Sequence, residues 1–68
     1  MATIYERFGS NVRTIRKKRH VMQEELAESI DREPRTIIDI EAGRRNPTLK
    51  TIYKIAKALR VDVADLFR

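Results

Sequence analysis

The side chains best placed for chemistry cluster late in the chain: Arg35, Thr36, Ile38 and Asp39, followed by Arg44, Arg45 and Asn46. They offer hydrogen-bond donors and acceptors rather than nucleophiles. At 100° per residue, a helix from about Pro34 to Ala42 buries Ile37 and Ile40 on one side. Arg35, Asp39 and Ala42 then lie nearly opposite, with Thr36 and Ile38 on the flanks. An outer face so short and varied is suited to reading base edges. Catalysis has little to draw on. His20 is the lone histidine, cysteine is absent, and Ser10 and Ser29 fall on predicted helices with no carboxylate pair in view. We therefore expect no enzyme and no catalytic residue, no metal site, no cofactor and no small-molecule ligand. His20 reads as a turn residue.

The elements that must position these residues are all helical. Apolar residues recur at helical spacing, and no stretch alternates like a strand. Thr3 with Glu6 is a capping-box pattern opening a first helix, about Ile4 to Arg19, whose stripe is Ile4, Phe8, Val12 and Ile15. A second helix, about Gln23 to Ile30, turns Leu26, Ala27 and Ile30 inward. Glu24 and Glu25 suit its first turn, but Met22 is a poor cap. Asp31, Arg32 and Glu33 make a tight turn. Pro34 then fits the first position of the third helix, and Gly43 its left-handed stop. Beyond the basic loop Arg44 to Pro47, Thr48 caps a fourth helix, about Leu49 to Leu59. Its inner stripe is Leu49, Ile52, Ile55, Ala56 and Leu59. Asp62 is expected to cap a short fifth helix carrying Val63, Leu66 and Phe67. The chain reads as one all-α domain, residues 1–68. Helices two and three form a helix-turn-helix unit, about residues 23–42, in which the second member enters the major groove.

Composition narrows the partner. The 68 residues hold 15 Lys and Arg against 10 Asp and Glu, a net charge of +5. This favours a polyanion, either nucleic acid or an anionic membrane, and is also compatible with simple solubility. No apolar run approaches the roughly 20 residues of a membrane span, and Glu6 and Arg7 interrupt any secretory-type stretch. A cytoplasmic location is expected, with no membrane partner.

Three spaced strings sharpen the reading: Gln23-Glu24-Glu25-Leu26-Ala27-Glu28; Ile37 with Ile40-Glu41-Ala42-Gly43-Arg44-Arg45-Asn46-Pro47-Thr48; and Ile55-Ala56-Lys57-Ala58-Leu59. Their order and spacing resemble the Cro/CI-type (XRE) helix-turn-helix family from Phe8 to Phe67. The resemblance implies a five-helix lambda-repressor-like fold and transcriptional regulation, typically repression, by operator binding. It makes Gln23 a phosphate contact that braces the recognition helix, and Arg35 the leading base reader. An arginine fork suits O6 and N7 of guanine together; the alternatives are a phosphate contact or a pair with Asp39. Thr36 reaches a phosphate or a thymine methyl, or is a passive flank. Asp39 accepts from a cytosine amine, orients Arg35, or repels phosphates. Ile38 meets a thymine methyl or widens the core contact. Arg16 and Glu41 match a pair that the family joins as a structural salt bridge, and Arg16 is also a phosphate candidate. Arg44, Arg45 and Asn46 are read as phosphate clamps, the alternatives being a minor-groove arginine and a solvated charge run.

The sequence departs from the family pattern at several turns. His20, Asp31 and Arg60 stand where relatives often carry glycine, and Glu33-Pro34 replaces a polar cap and a polar first residue. Proline cannot hydrogen-bond a base, which moves the burden to Arg35. The expected partner is double-stranded DNA at a two-fold related operator. A homodimer through residues 52–67 would present two recognition helices about 34 Å apart. The competing reading is an antitoxin-like or other protein-interaction module on the same fold.

Overall fold

The helix starts are set by side chains near each N-terminus. In the computed structural model, which describes residues 2–68, Thr3 Oγ1 accepts from the Glu6 N–H at 3.1 Å while Glu6 answers the Thr3 N–H at 2.8 Å. This reciprocal pair satisfies two otherwise orphaned donors and opens α1, Ile4–Lys18. Met22 contributes no side-chain cap to α2, Gln23–Ser29. Glu25 compensates in part by accepting from the Met22 N–H at 2.8 Å. Pro34 stands in the first turn of α3, Pro34–Glu41, where its missing N–H is harmless. Thr48 Oγ1 accepts from Thr51 N–H at 3.2 Å and starts α4, Leu49–Leu59.

All four α-helices stop in the same way. A left-handed residue follows each: His20 (φ 57°), Asp31 (φ 58°), Gly43 (φ 77°) and Arg60 (φ 60°). The next N–H then reaches back five residues to a carbonyl: Val21 to Arg16, Arg32 to Ala27, Arg44 to Asp39, and Val61 to Ala56, at 2.9–3.0 Å. This is the Schellman closure. Three of the four left-handed positions carry a β-carbon, which costs each of them roughly 1 kcal/mol against glycine. Tertiary packing outweighs that local cost. Val21 and Val61, each just beyond such a stop, pack against the core.

That core takes Phe8 and Val12 from α1, Leu26, Ala27 and Ile30 from the end of α2, Ile37 and Ile40 from α3, Ile55, Ala56 and Leu59 from α4, and Leu66 from the C-terminal segment. Phe67 stacks on Phe8 with ring centroids 5.1 Å apart. Asn11 Nδ2 donates to the carbonyls of Leu66 and Arg68 at 3.0 and 2.9 Å and ties the C-terminus to α1.

Four expectations are corrected. Ile4 and Leu49 do not join the core; they are 60% and 77% exposed. Each is the first residue of its helix, so its side chain lies beyond the end of the packed stripe. The fifth element, Val63–Phe67, is a 3-10 helix rather than an α-helix, as suits a five-residue terminal turn. Asp62 makes no side-chain cap; Asp65 Oδ2 accepts from the Asp62 N–H at 3.1 Å instead.

Candidate nucleic-acid interface

The position of α3 is fixed by a buried polar network at its C-terminal end. Arg16 donates to Glu41 through Nε at 2.6 Å and Nη2 at 3.2 Å, and its Nη1 donates to the Val21 carbonyl at 2.7 Å. Gln23 Nε2 adds a fourth bond, to Glu41 Oε1 at 3.0 Å. The Arg16 and Glu41 side chains are only 9% and 4% exposed. Fork-to-carboxylate geometry and full hydrogen bonding are what make a buried ion pair tolerable. Among the described residues, no buried side-chain nitrogen or oxygen lacks a partner. The network joins α1, the start of α2 and the end of α3 at one point.

Gly9 allows these helices to come so close. A β-carbon there would collide with the Ile40 carbonyl oxygen and lie 2.8 Å from that of Glu41. Gly43, besides its left-handed φ, leaves no room either, because a β-carbon would sit 2.6 Å from Glu6 Cγ. Both glycines seat the C-terminal end of α3 on α1.

The outer side of α3 is open. Arg35 is exposed, and Thr36, Ile38 and Asp39 are half-buried. Ile38 and Pro34 share a groove of roughly 430 Å³ with Arg16, Met22, Gln23 and Glu24, so the front of α2 and the flank of α3 form one surface. On the other flank, Thr36 lines a small depression with Arg32, Arg45, Asn46 and Thr48. The loop after α3 is therefore continuous with the helix face. Arg44, Arg45 and Asn46 are all exposed.

Asp39 sits between two arginines. Arg44 donates to its Oδ1 through Nη2 at 2.9 Å and Nε at 3.3 Å, and Arg35 Nε lies 3.4 Å from the same oxygen. The Arg44 hydrogen bond holds the Asp39 carboxyl below its ordinary value of 3.8; partial desolvation opposes this, and the charges of Arg35, Arg44 and Arg45 reinforce it. Asp39 is thus a carboxylate under all ordinary conditions. The helix stop explains the pairing: the Arg44 N–H already bonds the Asp39 carbonyl at 2.9 Å, which stacks the two side chains.

A helix-turn-helix family model, HTH_3, matches residues 12–66. The chain belongs to this family of Cro/CI-type (XRE) helix-turn-helix regulators. Members of the family are DNA-binding transcriptional regulators, not enzymes. The chain is 48% identical over 60 residues to the control protein C.BamHI of Bacillus amyloliquefaciens, covering 87% of this chain and 74% of that one. The restriction-modification controller protein C.AhdI of Aeromonas hydrophila superposes with a TM-score of 0.89 at 32% identity, over 93% of this chain and 96% of that one. The clp gene regulator ClgR of Corynebacterium glutamicum superposes with a TM-score of 0.92 at 27% identity, over 97% of this chain and 86% of that one. Within this regulator, α2 and α3 are the helix-turn-helix pair, and α3 is the recognition helix.

Sequence reasoning missed three participants. The Val21 carbonyl completes the buried network, and only the left-handed turn at His20 brings it there. Gly9 carried a signal that went unread, a lone glycine inside a helical pattern. The Arg44–Asp39 pair was hidden because it spans a helix stop rather than the usual three- or four-residue helical spacing. Among the described residues, no group of three or more His, Cys, Asp or Glu is disposed to hold a metal ion, and no helix is long and apolar enough to cross a membrane.

Proposed function

We propose that this regulator binds a two-fold related operator as a homodimer, with α3 of each protomer in the major groove. The observation that carries this reading is the continuity of the exposed α3 face with the basic loop behind it and the front of α2 beside it. A base reader needs flanking groups that fix its register on the phosphates, and this surface supplies both. Arg35 is the principal base reader, Thr36 and Ile38 flank it, and Gln23, Arg45 and Asn46 approach phosphates. Gln23 does so while one of its amide hydrogens is held by Glu41. Arg16 is assigned to the brace alone, since all three of its nitrogens are already engaged and its side chain is buried.

One protomer's helix spans only a few base pairs, so useful specificity calls for two copies. Exposed apolar side chains on α4, Leu49 and Tyr53, support a dimer surface that begins slightly before the Ile52–Phe67 segment and continues along it. The names of C.BamHI and C.AhdI suggest a target class, the control of restriction-modification genes. A DNA motif selected by this protein and lying upstream of such a gene pair supports that class; a motif found only elsewhere removes it.

Anisotropy titration of short duplexes and sedimentation velocity test the reading together. The expected result is a dimer whose affinity falls steeply with salt and varies strongly with sequence. Weak, sequence-blind binding by a monomer would overturn it.

A further inference from the structure

The arginines of the binding surface are not free. Of the exposed cations around α3, Arg44 makes two hydrogen bonds to Asp39, and Arg35 lies in salt-bridge range of the same carboxylate oxygen. Asp39 is half-buried, with 22% of its side chain exposed, whereas the Arg35 and Arg44 side chains are 72% and 55% exposed. The carboxylate is therefore the anchored partner and the two arginines are the mobile ones. Its own backbone is anchored as well, because the Asp39 carbonyl accepts the N–H that closes the helix stop. Beyond the stops of α1 and α4, the equivalent residue is a valine that packs on the core. After α3 it is Arg44, and an ion pair takes the place of the apolar contact.

We propose that Asp39 is an internal competitor for DNA phosphate, holding Arg35 and Arg44 on the protein until a matching site offers more than an isolated phosphate can. This rests on the operator-binding reading and adds a positioning and specificity-setting residue to it. The trio of Arg35, Arg44 and Asp39 carries one net positive charge where two arginines alone would carry two. A random duplex offers phosphates and little else, so it must displace a carboxylate that is already in place. A matched site adds a base edge for Arg35, and that added contact tips the exchange. Asp39 thereby weakens random binding more than operator binding and raises the ratio between them. Two roles of Asp39 are separable here: a direct acceptor from cytosine would add affinity for one base, whereas an internal competitor subtracts affinity for all.

The test compares the full chain with Asp39→Asn, Arg44→Ala and the double variant. Each is titrated by anisotropy against a selected operator duplex and a random duplex of equal length, from 50 to 300 mM KCl. Releasing one phosphate contact per protomer steepens the salt slope by about 0.9 and tightens random binding about eightfold at 0.1 M salt. Asp39→Asn is therefore expected to bind random DNA more tightly and with a steeper slope, while its operator-to-random ratio falls. A destabilised protein cannot produce that gain. Adding Arg44→Ala should remove most of it. Unchanged random affinity and slope in Asp39→Asn overturn the proposal, as does a loss confined to one base position of the operator. If the wild type itself shows no sequence preference, the operator reading fails; a gain in random binding by Asp39→Asn would then still uphold the competition for phosphate.

Discussion

Two acidic residues on α3, only two positions apart, meet arginine in opposite ways. Glu41 is buried, accepts from Arg16 and Gln23, and holds the helix to its scaffold. Asp39 is half-buried at the DNA-facing surface, and its partners Arg35 and Arg44 are largely exposed. Two residues are a 200° rotation, so the carboxylates point to opposite sides of the helix. The difference teaches how one short helix is both fixed and reactive. Its inner carboxylate is locked in a network whose rupture strands a charge. Its outer carboxylate forms bonds that water and phosphate can exchange.

The sharpest way to break this contrast is at the buried end. Glu41→Ala should destabilise the fold by about 3–5 kcal/mol, because Arg16 keeps only the Val21 carbonyl in a buried site. Urea unfolding reads this directly, and a loss no larger than that of a surface substitution would show the network to be dispensable. Gly9→Ala tests the same seat sterically, and an overpacked contact of this kind typically costs about 1–3 kcal/mol. At the outer end, Arg35→Ala should leave stability unchanged and cost about 1–3 kcal/mol of discrimination at a single base position. Arg45→Ala should weaken binding to every sequence and lower the salt slope by about one unit per protomer.

The smallest effect concerns acid. Hydrogen bonding from Arg44 holds Asp39 below its ordinary value of 3.8 in the folded chain. A depressed carboxylate stabilises the fold above its unfolded value and loses that contribution as pH falls through the folded one. The stability difference between wild type and Asp39→Asn should therefore be constant from neutral pH to about pH 4, then fade at lower pH. A difference that changes between pH 5 and 7 would mean that the Asp39 pairing is not its source.

Much of the frame could be read from residue types. Thr3, Pro34, Gly43 and Thr48 mark helix ends through local chemistry, and local chemistry is what a sequence displays. The stripes of α1 and α4 were legible in the middle but not at Ile4 and Leu49, because periodicity does not say where packing stops. His20, Asp31 and Arg60 were recognisable as turn residues only against the family's glycines; propensity alone disfavours their left-handed backbone. Across α3 the lesson is similar. Arg35 and Asp39 sit at a helical spacing and were paired from sequence. Arg44 joins them through a five-residue link that exists only once the helix has stopped in its particular way. The close approach at Gly9 likewise depends on a neighbour more than thirty residues away.

The most direct test of the account is selection from a random duplex library with wild type and Arg35→Ala in parallel, at two salt concentrations. The account predicts that wild type enriches two half-sites related by a two-fold axis and spaced about 34 Å apart. It also predicts that Arg35→Ala loses one guanine preference in each half while keeping the spacing. Enrichment of no motif, or of the same motif with undiminished guanine preference in both proteins, would contradict it.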